Sequence, residues 1–293
     1  VEDLQRLLGK PIVGIAKDYR EYEQYDICLS TYQTFITKIG RRKLNAVKDS
    51  FGLVIVDECH RCPAPRYLEV VGKLNPEIRL GLTATPTRKD LMHILGYYVI
   101  GPVVVNGRSD QLKCKVFVIR TGVRTKPFVK WNSFVNSLCN NESRNKLIID
   151  HIVKDVNSGR HILVVTSRVK HCKYLDQELK KRNISSEAYW GKSDRERILD
   201  DARSGKIKVV IAMRQLVQQG IDVPMWDTYY CVIPIANEEN YYQECSRIRT
   251  PYQNKPTPII RYFLDSNSAS FACFKIASRI HTRERFVVFG DIA

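Results

Sequence analysis

Short continuous apolar runs, each closing on polar or hydroxylated residues, punctuate the chain. Residues 53–56 (Leu-Val-Ile-Val), 209–212 and 229–233 are of this kind, 161–165 opens on His161, and 78–82 and 259–264 are each interrupted by one arginine. Runs of four to six residues without alternation suit parallel strands buried on both faces. Further strand candidates stand at 10–15, 26–29, 113–119 and 186–190. Between them lie stretches with helical spacing: 66–74, 88–96, 127–158 (Phe134, Leu138, Leu147, Ile148, Ile152, Val153), 169–182 (Leu175, Leu179) and the charged 194–204. Residues 26–35 read as a strand running into a helix start, with Ser30 or Thr31 as its cap. Residues 97–105 read as extended, and Gly107-Arg108-Ser109-Asp110 as an interdomain linker. Strand and helix in repeated succession predict an α/β chain with mainly parallel sheets and helices on both faces. The expected domains are 1–108 and 109–293.

Composition narrows the class. The hydrophobic share is 44% of 293 residues, enough for cores, and no run approaches the roughly 18 apolar residues of a membrane span. The amino-terminal residues lack a basic region followed by an apolar core, so no signal peptide is expected. Nine scattered cysteines form no disulfide framework and read as free thiols of a reducing, intracellular compartment, cytoplasm or nucleus. Cys59 and Cys62 form a C-x-x-C without a second Cys/His pair at zinc-ribbon distance, which argues against structural zinc. The net charge of +16 is uneven: residues 1–110 hold 16 Lys/Arg against 13 Asp/Glu, and residues 111–293 hold 31 against 18. Such an excess favours a polyanionic partner, nucleic acid being the simplest; the alternative is a generally basic surface.

The run 53–56 leads straight into Asp57-Glu58-Cys59-His60. Two carboxylates at the carboxyl end of a parallel strand sit where open α/β sheets bind ligands. One can hold Mg²⁺, which prefers oxygen ligands, and its neighbour can orient or deprotonate a water. On this octet alone, a strand ending in a solvated Asp-Glu turn is the alternative. Further on, Leu80-Gly81-Leu82-Thr83-Ala84-Thr85-Pro86 again ends an apolar strand in hydroxyls.

Asp-Glu-Cys-His followed by Thr-Ala-Thr-Pro resembles motifs II and III of the superfamily 2 helicases and translocases. The variant looks closest to the branch of the restriction-enzyme translocases, the excision-repair and transcription helicases and the phage recombination helicases. Residues 209–224, with Gly220-Ile221-Asp222-Val223-Pro224, resemble motif V, and Gln243-Glu244-Cys245-Ser246-Arg247-Ile248-Arg249-Thr250 resembles motif VI. The resemblance implies two RecA-like lobes, the first incomplete, and ATP with Mg²⁺ as cofactors. It makes Asp57 the metal residue, acting through the nucleotide, with Asp57, Glu58, Gln243, Arg247 and Arg249 catalytic. Gly220, Asp222 and Gln243 would face the nucleotide. Thr83, Thr85 and His60 would couple hydrolysis to lobe movement. Nucleic acid, DNA or RNA, would meet Thr31 and Arg168. Apart from the resemblance, Trp190 beside Lys192 offers the stacking ring and cation that single-strand binders use, the alternative being a partly buried Trp. The chain departs from the family pattern at Met213 (usually Thr or Ser), Ser246 (usually Gly) and Thr250 (usually Arg). Arg249 stands one residue before the expected final Arg, so the arginine-finger role is open between Arg247 and Arg249. The branch and the odd motif VI suit a large DNA virus or a phage.

The family's Gly-rich phosphate loop, which ends in Gly-Lys-Ser/Thr, is not found; Gly9-Lys10-Pro11 is the fragment that comes to notice. The expectation is therefore a piece of a longer protein, lacking the amino-terminal portion of its first lobe and inactive alone. The reading is part of an ATP-dependent DNA or RNA helicase or translocase. The alternative is a nucleic-acid- or partner-binding module whose ATPase has lapsed. The basic tail from Arg279 onward packs on the second lobe or serves a partner.

Overall fold

The structure is a computed structural model, and it describes residues 13–15, 25–83, 91–105, 107, 110–125, 130–218 and 220–290. The chain divides into two compact units, Val1–Arg108 and Ser109–Ala293. All nine cysteines are free, and no described helix is long and apolar enough to cross a membrane.

In the first unit, β1 (Val13–Ile15) pairs parallel with β2 (Ile27–Leu29). The helices α1 (Tyr32–Ile36) and α2 (Lys38–Val47) follow, the latter capped by the Thr37 hydroxyl, which accepts from Gly40 N–H at 2.9 Å. Arg41-Arg42-Lys43 lies on α2, whose buried positions are Gly40, Leu44 and Val47. Next come β3 (Leu53–Val56), a short 3-10 turn (Cys59–Arg61), α3 (Pro65–Lys73), β4 (Ile78–Gly81) and α4 (His93–Val99). β3 and β4 are parallel, with Leu53 opposite Ile78 and Ile55 opposite Leu80.

Two expectations need correction here. The strand 53–56 is not buried on both faces. Val54 and Val56 turn into a small core with Cys62, Val71, Tyr67 and Ile100, whereas Leu53 and Ile55 are 51% and 56% exposed. Side chains alternate along a strand, and among the described residues the layer formed by α3 and α4 covers one face only. Ile78, Leu80 and Leu82 extend the same uncovered apolar face onto β4. The helix expected at 88–96 also runs later: α4 carries Tyr97-Tyr98-Val99 in helical form and ends where Gly101 takes φ +129°, a conformation suited to glycine. Residues 88–90 lie outside the described residues.

The second unit holds a seven-stranded sheet in the order β11-β5-β10-β9-β6-β8-β7, every pairing parallel. In chain order its elements are β5 (Lys115–Arg120), α5 (Trp131–Cys139), α6 (Glu142–Asn157), β6 (Ile162–Thr166), α7 (Val169–Lys181) and β7 (Ser186–Tyr189). Then follow α8 (Arg195–Arg203), β8 (Val209–Met213), α9 (Arg214–Val217), β9 (Thr228–Cys231), α10 (Glu238–Ser246), β10 (Ile259–Leu264), α11 (Ser268–Arg283) and β11 (Val287–Phe289). The sheet separates two cores. Leu163 and Val165 of β6 face α8, α9, α10 and α11, while Ile162 and Val164 face α5, α6 and α7. This is the period-two division of a strand covered on both sides.

The helical stretch 127–158 is two helices, because Asn141 stops one and caps the next: its side chain accepts from Arg144 N–H at 2.9 Å. Asp194, Asn237 and Asn267 cap α8, α10 and α11 in the same way. The tail packs on its own unit. β11 adds to β5, and Phe289 stacks on Phe117 at 5.0 Å between ring centroids.

Candidate functional site

In the first unit the chain leaves β3 in a tight turn. Leu82 N–H donates to Val56 O (2.9 Å) and Cys59 N–H to Leu82 O (3.0 Å), so the ends of β3 and β4 stay paired through the turn. Gly81 allows this approach: a Cβ there would stand 2.9 Å from Cys59 Sγ. Glu58 adopts left-handed φ 49°, ψ 44°, a conformation that costs a non-glycine residue about 1 kcal/mol. Asp57 Oδ1 accepts from Glu58 N–H at 2.8 Å, and the Tyr67 hydroxyl donates to Asp57 O at 3.3 Å. Asp57 is exposed and Glu58 half-exposed. Beneath them the buried His60 sets Nδ1 3.1 Å from Glu58 Oε2 and 3.0 Å from Thr83 Oγ1; one Nδ1–H can serve both oxygens. Glu58 and the first hydroxyl of the following strand end are thus tied by one imidazole. Thr85 lies outside the described residues. Thr31 precedes α1 with its hydroxyl 3.2 Å from Thr34 Oγ1, exposed and without a backbone capping bond.

In the second unit the remaining expected residues stand past the carboxyl ends of β6, β7 and β8, or on α10 and directly after it. Arg168 is held by α5: Nε donates to Asn136 Oδ1 (2.7 Å) and Nη2 to Asn132 Oδ1 (2.9 Å). Trp190 is half-buried against the core, and the cation over its ring is Lys173 of α7, 4.1 Å from the centroid. Lys192 is exposed. Gly191-Lys192-Ser193 repeats the last three residues of a phosphate loop, closer than Gly9-Lys10-Pro11, but it follows β7 and its Ser193 hydroxyl donates to Trp190 O at 2.7 Å. Gly220 takes φ +92°, a left-handed value, and Asp222 is exposed with its carbonyl accepting from Arg203 Nε at 3.1 Å.

Gln243 and Arg247 lie one turn apart at the end of α10, both half-buried, and Arg247 Nε donates to Val217 O at 3.2 Å. Arg249 differs. It is 4% exposed, pairs with Glu284 at 2.9 Å, donates from Nε to Leu112 O (2.9 Å) and stacks over Phe286. The two arginines left open by sequence therefore occupy different environments, one beside solvent and one in an ion pair with the tail.

Sequence reasoning missed the residues behind these. Arg214, first residue of α9, donates from Nε to Glu244 Oε1 (2.7 Å), from Nη1 to Ser167 Oγ (3.1 Å) and from Nη2 to Ile233 O (2.8 Å). The fully buried Glu244 also accepts from the Tyr229 hydroxyl at 2.5 Å. Burial pushes the Glu244 carboxyl upward, and Arg214 and the Tyr229 hydroxyl draw it back. The available signal was an acidic residue inside the Gln/Arg helix and a basic one directly after β8.

Residues 2–88 match the family model described as Type III restriction enzyme, res subunit, and residues 143–250 match the helicase conserved C-terminal domain. The chain is 25% identical over 225 residues to the probable helicase D10 of Escherichia phage T5, covering 74% of this chain and 49% of that protein. It is 26% identical over 223 residues to the DNA 3'-5' translocase XPB2 of Sulfurisphaera tokodaii, covering 60% and 50%. The chain spans half or less of the length of these curated relatives. Among solved structures, S. cerevisiae Dbp5 bound to RNA and ADP BeF3 superposes with a TM-score of 0.63 at 14% identity, covering 98% of this chain and 73% of that one. That likeness is one of fold, the RecA-like fold of helicase domains. With the acidic box and the hydroxyl strand end inside one matched segment and the Gln/Arg helix inside the other, the chain belongs to the superfamily 2 helicases.

Proposed function

We propose that the chain is part of an ATP-dependent DNA or RNA helicase or translocase. The observation that carries this is the Asp57-Glu58 pair at the carboxyl end of β3, linked through His60 to Thr83 at the end of β4. A carboxylate pair fixed by a turn and joined to a second strand end suits a site where hydrolysis is sensed by a neighbouring element. The exposed Asp57 offers the hard oxygen that suits Mg²⁺, which when bound would neutralise charge on the nucleotide phosphates. Glu58 would orient and deprotonate the attacking water. Its left-handed backbone holds the carboxylate against His60, so a protonation change at Glu58 is felt at Thr83; Thr85 is assigned the same coupling role. Arg247, with Gln243 beside it, would stabilise charge on the transferred phosphoryl group. Arg249, engaged with Glu284, is assigned a structural role instead. Gly220 and Asp222 would face the nucleotide. Thr31, Arg168, Trp190 and Lys192 would meet nucleic acid.

The 293 residues contain no Gly-x-x-x-x-Gly-Lys-Ser/Thr, so the cradle for the β- and γ-phosphates would come from elsewhere in a longer protein. The uncovered apolar face of Leu53, Ile55, Ile78, Leu80 and Leu82 supports a further portion of the same lobe packing there. The lapsed-ATPase alternative is not favoured, since the relatives are named helicases or translocases. The free thiols suit an intracellular setting.

Filter binding of the chain to single-stranded and duplex DNA and RNA across a salt series tests the partner. Retention should weaken steeply with salt, and absence of binding to all four would refute the reading. In the longer protein, Glu58→Gln and Arg247→Ala should each lower nucleic-acid-stimulated ATP hydrolysis by about a hundredfold or more. Full hydrolysis by either variant would overturn the assigned roles.

A further inference from the structure

Four strand and helix ends of the second unit meet at one guanidinium. In the sheet order β9-β6-β8 these are adjacent strands, and Arg214 follows β8, bonds Ser167 just past β6 and bonds Ile233 O just past β9. Its third arm enters α10 at Glu244, whose side chain is 0% exposed. The tie is reciprocal. α9 sends Arg214 to α10, and α10 returns Arg247 to the Val217 carbonyl at the other end of α9. Glu244 is flanked by Gln243 and lies three residues before Arg247, so rotation of α10 about its axis moves all three together. Ser167 is the immediate neighbour of Arg168.

A buried ion pair is a poor source of stability, because an apolar replacement of equal volume often does as well. This pair sits where an apolar side chain could pack, close to the buried Cys231, Cys245 and Tyr229. What an apolar side chain cannot do is read three strand ends at once. A planar guanidinium with donors in a fixed fork can.

We propose that Arg214 is a positioning residue that couples occupancy of the nucleic-acid surface at Arg168, sensed through its neighbour Ser167, to the presentation of Gln243 and Arg247 at the end of α10. It touches neither ATP nor nucleic acid. A shift of the loop after β6 pulls on Nη1, and the same rigid group turns α10 through Glu244. The inference rests on the proposed function for the identity of the two ligands.

The test compares amide exchange in α10, with and without oligothymidylate or oligouridylate, in the wild-type chain and two variants. The variants are Ser167→Ala, which removes one arm, and Arg214→Met combined with Glu244→Leu and Tyr229→Phe, which leaves no buried polar group of the pair unmatched. Wild-type α10 should change its protection on binding. Both variants should bind and stay folded, yet lose most of that change. In the longer protein the stimulation of ATP hydrolysis by nucleic acid should fall about tenfold, within the usual range of coupling between sites. Arg214→Lys should recover only part, since a point charge cannot span the three contacts. If the triple variant does not fold, the Ser167→Ala chain decides alone. Variants that bind and retain the wild-type change in α10 overturn this inference and leave the proposed function intact. A wild-type chain that binds neither oligonucleotide overturns this inference, and it overturns the proposed function as well when duplex DNA and RNA also go unbound.

Discussion

Removing the carboxylate of Asp265 should unfold the second unit at much lower denaturant. Asp265 and Arg144 are both 0% exposed. Arg144 Nε and Nη2 reach the two carboxylate oxygens at 2.8 and 3.2 Å, and Nη2 also donates to Val232 O at 2.6 Å. The Thr121 hydroxyl donates to Asp265 Oδ1 at 2.6 Å. The pair therefore pins α6 across the carboxyl ends of β5, β10 and β9. Asp265→Ala leaves a guanidinium buried with a single carbonyl, a break that costs about 3–5 kcal/mol, and strands the Thr121 hydroxyl for about 1 kcal/mol more. Against a usual domain stability of about 5–15 kcal/mol, that is a large fraction. With a urea slope of about 2 kcal/mol per molar, the midpoint should fall by about 2 M. The assay is tryptophan fluorescence in urea, which reports this unit alone because Trp131, Trp190 and Trp226 all lie within it. Thr121→Val should cost about 1 kcal/mol. Arg144→Met with Asp265→Leu should recover most of the loss, since a buried pair contributes little net. A midpoint for Asp265→Ala within about 0.3 M of wild type would refute the claim that this pair is an enclosed, mutually dependent clamp.

Other expectations follow from the same reasoning. Arg249→Ala should lower the urea midpoint by the equivalent of about 2 kcal/mol, because a buried side chain loses its bond to Leu112 O, its packing on Phe286 and its pairing with Glu284 together, whereas Arg247→Ala should leave it nearly unchanged; equal effects would undo the separation of the two roles. Burial lowers His171 to about 3, helped by the Arg144 charge, and lowers His281 to about 4. The unfolded chain therefore takes up these protons first: stability is fully present above about pH 6.5 and is lost towards pH 3, each histidine costing about 2 kcal/mol by pH 5. Urea midpoints at pH 7.5 and 5.0 check this, and His281→Gln, which keeps a partner for the Tyr241 hydroxyl, should flatten the dependence. Gly40→Ala would place a methyl 2.1 Å from Thr34 O, so α1 and α2 should separate at a cost of about 3 kcal/mol, seen as faster amide exchange over residues 32–47.

Legibility followed how local the determining contacts are. Ile162–Val165 and Val209–Ala212 could be read from four residues each, since an unbroken apolar run at strand length has few other uses, and their carboxyl ends located Arg168 and the motif V loop. The helix 268–283 escaped notice although its buried positions, Ser270, Cys273, Phe274, Ala277, Ile280 and His281, keep helical spacing. Small and polar residues fill half of that stripe, and hydropathy does not register a serine or histidine that the fold encloses. The choice between Arg247 and Arg249 was illegible for a different reason. It turns on Glu284, 35 residues further on and carried by an element with no motif. Arg214 and Glu244, 30 residues apart, are the same case.

The strand 53–56 carries the converse lesson. Its run is as apolar as that of β6, yet β6 is buried throughout and β3 shows two of its four side chains to solvent. An apolar run states a demand for cover on both faces of the sheet; it does not name what meets the demand. In β6 the seven-stranded sheet and its two helical layers meet it. In β3 one layer does, and the register with β4 aligns Leu53 with Ile78 and Ile55 with Leu80 on the uncovered side. Chance exposure would scatter such residues, since isolated apolar side chains are common on surfaces. Alignment across two paired strands instead makes a continuous patch, and contiguous patches mark contacts. The sequence pattern and the exposure thus point the same way: this face of the first unit is built to be covered. Replacing Ile55 and Leu80 with threonine should then leave the chain as stable as wild type, or more soluble, while weakening any longer protein in which that cover is supplied.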